Sequence, residues 1–175
     1  MADYLILTVI GDDRPGLVEE LATVISGQQG NWLEASLSHL AGKFAGIVKV
    51  AVPPSHEAAL REALDAVVAL RISAEASAVA RSGETPGRRL SLSLVGHDRI
   101  GIVREVSQAL ARHAVNVEKL ETRVGSAPMS AETLFYAEAD LAAAPGLDVG
   151  ALKADLERIS NDLMVDITLG ETLRG

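Results

Sequence analysis

Apolar and polar residues alternate along this chain with two periods, and the order in which the periods change is written twice. Leu90, Leu92 and Leu94 alternate with Ser91 and Ser93, the two-residue period of a strand with one buried and one wetted face. The earlier counterpart, residues 4–10, is apolar on both faces: Leu5, Leu7 and Val9 on one, Ile6 and Ile10 on the other. That second apolar face predicts a partner surface or additional packing. Leu17, Val18, Leu21 and Ile25 then recur at three and four residues, as do Ile102, Val103, Val106 and Leu110, which predicts a helix after each first strand. Alternation returns in Leu33, Ala35 and Leu37, matched in parity by Leu120, Thr122 and Val124. His39 falls on the same inward parity, so a partly buried, hydrogen-bonded histidine is expected there. Third strands are predicted over 44–52 and 132–141, second helices over 55–70 and 148–162, and closing strands over 72–79 and 164–169. Pro53-Pro54 and Pro145-Gly146 stop the third strands.

The two halves hold one register. Gly11-Asp12-Asp13-Arg14-Pro15-Gly16-Leu17-Val18 recurs as Gly96-His97-Asp98-Arg99-Ile100-Gly101-Ile102-Val103, an offset of 85 residues. The same offset pairs Leu5 with Leu90, Glu20 with Glu105 and Asn31 with Asn116; chance matches would scatter across offsets. Each half reads β-α-β-β-α-β, so the predicted class is α+β, two ferredoxin-like units in tandem with two helices on one face of each antiparallel sheet. The expected domains are 1–80 and 90–175, and 81–89, polar and rich in Gly and Pro, reads as the linker. Each half is small for an independent core, so the halves are expected to pack together or to dimerise.

The turn between first strand and first helix concentrates the candidate chemistry. As a purely structural element, Asp13 or its neighbour caps the helix, Pro15 starts it, and Gly11 and Gly16 let the chain turn or another group approach. As a binding element, the free N–H groups of a helix start favour a carboxylate or phosphate. Asp12 and Asp13 repel phosphate, but one of them can accept from an ammonium group, so a small zwitterion such as a free amino acid fits both signs. Arg14 and Arg99 either bind its carboxylate or pair with the adjacent aspartates. Asn31 and Asn116, at the start of the second strands, either reach toward the same turns or are loop residues.

Composition narrows the classes. The 175 residues carry 16 basic and 24 acidic side chains, a net charge of −8, with 3% aromatics. An acidic chain repels phosphate backbones and offers little for base stacking. RNA-recognition modules share this fold but display aromatics on the open sheet face, where the equivalent positions here are Ile6, Thr8, Ser91 and Ser93. The absence of cysteine excludes disulfides, a thiol nucleophile and a zinc ribbon. His39, His56, His97 and His113 fall on different elements, no nucleophile elbow, P-loop or zinc-protease motif occurs, and neither catalysis nor a metal or cofactor is expected. Asp3 stands where a secretory signal would be basic, and no apolar run approaches a membrane span, so a cytoplasmic protein is expected.

Two βαββαβ units, each with Gly-x-Asp-Arg-x-Gly-[Leu/Ile]-Val after its first strand, resemble tandem ACT domains, and within them the glycine cleavage system transcriptional repressor family. Gly30-Asn31-Trp32-Leu33-Glu34-Ala35-Ser36 and Gly42-Lys43-Phe44-Ala45-Gly46 extend the likeness in the first copy. The resemblance implies a regulatory protein without catalytic activity, whose small amino-acid ligand, glycine or serine, lies between neighbouring modules. Its expected contacts are Gly11, Asp12, Asp13, Arg14, Pro15, Gly16 and Asn31, with Gly96, His97, Asp98, Arg99, Gly101 and Asn116 in the second copy. It also implies action through a transcriptional activator protein in place of DNA. Edge strands and the Ile6/Ile10 face add the expectation of a homodimer. His97 for Asp12, Ile100 for Pro15, and Ala114-Val115 for Gln29-Gly30 imply that the two turns differ in ligand or affinity. The alternative is a structural adaptor that binds a protein and no small molecule.

Overall fold

The computed structural model describes residues 3–77 and 87–171 and divides into two compact units, 1–82 and 83–175. The first unit runs β1 (Asp3–Asp12), α1 (Leu17–Gly27), β2 (Asn31–Leu40), β3 (Lys43–Val52), α2 (Pro54–Asp65) and β4 (Leu70–Ala76). The second repeats the series as β5 (Arg88–His97), α3 (Ile102–Arg112), β6 (Asn116–Ser126), β7 (Thr133–Ala143), α4 (Val149–Leu163) and β8 (Val165–Glu171). Each half is therefore the βαββαβ unit that the alternation of periods implies. The sheets are antiparallel, in the orders β2-β3-β1-β4 and β6-β7-β5-β8.

Each unit builds its core from one face of its sheet. Leu5, Leu7 and Val9 of β1 are fully buried with Leu21 and Ile25 of α1 and Leu60 of α2. Leu90, Leu92 and Leu94 do the same against Leu110 of α3 and Leu152 and Leu156 of α4. The opposite faces differ. Ile10 and Ile47 lie exposed on the first sheet, whereas the second carries Ser91, Ser93, Glu121, Glu138 and Asp140 around an open depression.

Several expected boundaries shift. The second helix ends at Asp65, not at 70, because Leu70 is already the first, buried residue of β4. That strand ends at Ala76, and the expected Val79 lies outside the described residues, as does 81–86 of the expected linker. Arg88 and Arg89 belong to β5, where they pair with Ala143 and Ala142. The closing strand of the second unit begins at Val165; Met164 instead ends α4 with φ of 52°. In β2 a bulge between Trp32 and Glu34 makes Leu33 the extra residue, so Trp32 packs on the core and Leu33 is exposed. His39, expected partly buried, has a side chain 77% exposed, because it sits near the end of an edge strand beside the Ala41–Gly42 turn.

In the second unit, α3 and α4 are joined by an ion pair at the rim of the core. His113 Nε2 and Asp155 Oδ2 are 2.8 Å apart, and Arg158 and Arg112 approach the same carboxylate at 2.8 and 3.7 Å. The His113 hydrogen bond, aided by the two guanidinium groups, holds Asp155 below its ordinary value of 3.8. A carboxyl depressed by folding contributes stability above its unfolded value and loses it as pH falls through the lower, folded value. Asp155→Asn is expected to lower the neutral-pH melting temperature and flatten its fall below about pH 4, as followed by circular dichroism; an unchanged acid limb would contradict this.

Candidate functional site

The two strand-to-helix turns share one backbone solution. Gly16 and Gly101 are the residues immediately before α1 and α3, in left-handed conformation with φ of 91° and 99°. The first intrahelical bonds run from Glu20 N–H to the Gly16 carbonyl (2.9 Å) and from Glu105 N–H to the Gly101 carbonyl (3.0 Å). No side chain caps either helix. The N–H groups of the first turn, Leu17 to Glu19 and Ile102 to Arg104, thus have no acceptor within the helix. The expectation that Asp13 caps and Pro15 starts the helix is corrected: the glycine occupies the cap position, which pushes both residues outside it.

Around the first turn, Asp12, Asp13, Arg14, Pro15 and Gly16 are all exposed. Arg14 Nη2 pairs with Glu20 Oε2 at 2.6 Å, not with an adjacent aspartate. Lys43, across the sheet on β3, hydrogen-bonds Asp12 and holds that carboxyl below its ordinary value. Asp13 is anchored by its backbone, N–H to the Gly42 carbonyl at 2.9 Å, and its carboxylate lies 3.5 Å from His39. In the second turn, Asp98 N–H donates to the Thr133 carbonyl at 3.0 Å. Arg99 donates to the Leu163 carbonyl at 3.3 Å, and His97 stands 4.0 Å from Glu132. The Asp98 carboxylate has no side-chain partner among the described residues. Lys43, Glu20, Glu132 and the carbonyls of Gly42 and Thr133 were not legible as turn residues. The one available signal was Glu20, which recurs as Glu105 at the repeat offset.

Gly11 and Gly96 serve a different purpose from Gly16 and Gly101. A Cβ on Gly11 would stand 2.5 Å from the Ala69 carbonyl oxygen and 2.9 Å from Leu70; one on Gly96 would stand 2.3 Å from Val165. These glycines admit the closing strand of their own unit. At Gly16 and Gly101 a Cβ would meet nothing within 4 Å, and only the positive φ demands glycine.

Asn31 and Asn116 do not meet the turns of their own units. Asn31 pairs with Ala51, which pairs with Tyr4, whereas Gly11 pairs with Phe44. Seven residues of strand separate the two ends, about 23 Å at the usual rise. Asn116, through Ala142 and Arg89, is set apart from Gly96 in the same way. Each unit therefore presents an asparagine at one end of its sheet and a donor-rich turn at the other.

Comparison with known proteins agrees with this architecture. Residues 3–75 match the family model of the ACT domain. That match lies within the first unit. The second unit repeats the strand order, the helices and the turn glycine at positive φ, so the two units share one ACT-like βαββαβ fold in tandem. A solved structure of an unknown protein from Galdieria sulphuraria superposes with a TM-score of 0.85 at 27% identity, covering 99% of this chain and 100% of that one. A candidate glycine cleavage system transcriptional repressor superposes with a TM-score of 0.72 at 15% identity, covering 99% of both chains, a likeness of fold. No curated protein sequence matches. No described helix of the tandem is long and apolar enough to cross a membrane.

The two kinds of glycine in the turn separate experimentally. Gly16→Ala incurs only the left-handed backbone penalty, about 1–2 kcal/mol. Gly11→Ala drives a methyl into the Ala69 carbonyl and is expected to cost more and to loosen β4. Urea unfolding of the two variants checks the order; equal losses would contradict the division of roles.

Proposed function

We propose that the chain is an amino-acid-responsive regulatory protein without catalytic activity, a transcriptional regulator like the glycine cleavage system repressors that acts through a protein partner. The observation that carries the reading is the pair of uncapped helix starts, each held open by a left-handed glycine with an aspartate three residues before it. The helix N–H groups meet a carboxylate, and Asp13 or Asp98 meets an ammonium group. A zwitterion as small as glycine or serine satisfies both. Asn31 and Asn116 contribute only where another module brings its other sheet end to the turn, as a second copy in a homodimer would. A ligand held across such a seam shifts the equilibrium between module arrangements by its differential affinity, commonly about 1–3 kcal/mol. The net charge of −8 favours a protein partner over nucleic acid.

A second reading, an adaptor that binds no small molecule, is supported by the exposed Ile10 and Ile47 on the first sheet. Thermal-shift and calorimetric titration of the full chain with the twenty amino acids, glycine and serine first, separates the two. The regulatory reading expects a saturable rise in melting temperature that Asp13→Ala or Asp98→Ala weakens. Silence across the panel leaves the adaptor.

A further inference from the structure

We infer that the second unit takes a branched aliphatic amino acid whose side chain enters an apolar cavity beneath α3. This rests on the amino-acid reading above and narrows it to one unit and one ligand class. The cavity, about 40 Å³, lies between α3 and strands β5, β6 and β7, with Leu94, Val106, Val117, Leu120 and Ala139 among its walls. Ser107 also lines it, but its hydroxyl already donates to the Arg104 carbonyl at 3.0 Å. A water needs roughly 10–15 Å³ and two to four polar partners. The volume is therefore ample for water and the chemistry is wrong for it. A branched group of three or four carbons suits both.

The cavity follows from two replacements between the repeats. Trp32 and Val117 are equivalent at the repeat offset, and each is the last paired residue before its strand's bulge. Trp32 packs on the first core; Val117 is 37% exposed. Val48 of β3 pairs with Leu7, and Ala139 of β7 pairs with Leu92, the repeat partner of Leu7. An indole and an isopropyl group thus give way to an isopropyl and a methyl, so the second unit has less side-chain bulk at these two places than the first.

One end of the cavity abuts the turn. Ile102, the first residue of α3 after Gly101, lines it, as does Phe135, which pairs with Gly96. An amino acid with its carboxylate on the α3 N–H groups and its ammonium on Asp98 directs its side chain along this wall. Val103 and Leu120, 46% and 49% exposed, form the mouth that the ligand covers. The first unit, with Trp32 in place, retains only the turn and takes the smaller ligands.

The test is titration of the full chain with L-valine, L-leucine, L-isoleucine and glycine, by calorimetry and thermal shift. At least one branched amino acid is expected to bind saturably. Val117→Trp is expected to weaken that binding by about tenfold or more, the scale of a misfitted apolar pocket. Ala139→Val, which restores the residue of the first unit, is expected to act in the same direction even if the tryptophan variant fails to fold. Glycine binding at the first turn stays unchanged in both. Branched amino acids that bind equally well to both variants overturn the cavity assignment. So does binding of glycine or serine alone, which leaves the regulatory reading standing; silence across all twenty amino acids overturns both.

Discussion

Everything distinctive in this chain follows from a backbone requirement at one residue per unit. Where the first strand hands over to the first helix, the chain must take a positive φ, and glycine adopts it without the penalty a Cβ imposes. Because the residue at the cap is then Gly16 or Gly101, no side chain stands where serine or aspartate would normally quench the helix start. The turn is at once a structural necessity and a source of unmet donors. A second pair of glycines, Gly11 and Gly96, lets the closing strand approach just before the turn, so the donors are held against the end of a rigid sheet.

Duplication has let the two copies drift where the shared backbone does not constrain them. The first turn is tied by Arg14 to Glu20 and by Lys43 to Asp12; the second leaves the Asp98 carboxylate without a side-chain partner among the described residues and sends Arg99 to a backbone carbonyl. The open face of the first sheet keeps exposed isoleucines, while that of the second is lined with serine and carboxylate and has Arg123 stacked over Tyr136 at 3.7 Å. The same two copies differ beneath the helix, where Trp32 packs on the core of one unit and Val117 lines a cavity in the other. One architecture therefore presents two chemically unlike surfaces and two unlike turns.

The fold was legible because its signals are periodic and repeated. Leucine alternation in β5, the three-and-four spacing in α1 and α3, and the fixed offset each point to the same βαββαβ order. What the sequence hid were events that break a period. The bulges after Trp32 and Val117 shift a strand's parity without changing its composition, which is why alternation points Leu33 inward where Trp32 is the residue that packs on the core. His39 alternates correctly but lies where an edge strand runs out, so parity alone overstated its burial. At the site, the turn glycines were recognisable as a motif, yet their two distinct jobs depend on what a Cβ would meet, which no local pattern encodes. The distance between Asn31 and its own turn is likewise a matter of strand register, visible only once β1, β2 and β3 are paired.

The most direct test is to ask whether a free amino acid contacts the helix-start donors. Backbone amide shifts of isotopically labelled full-length chain, recorded as the bound amino acid is added, report those groups one by one. The account expects the largest saturable changes at Leu17 to Glu19, at Ile102 to Arg104, or at both, with the turn glycines moving alongside them. Changes confined to the sheet faces, with both helix starts unmoved at saturation, would contradict it.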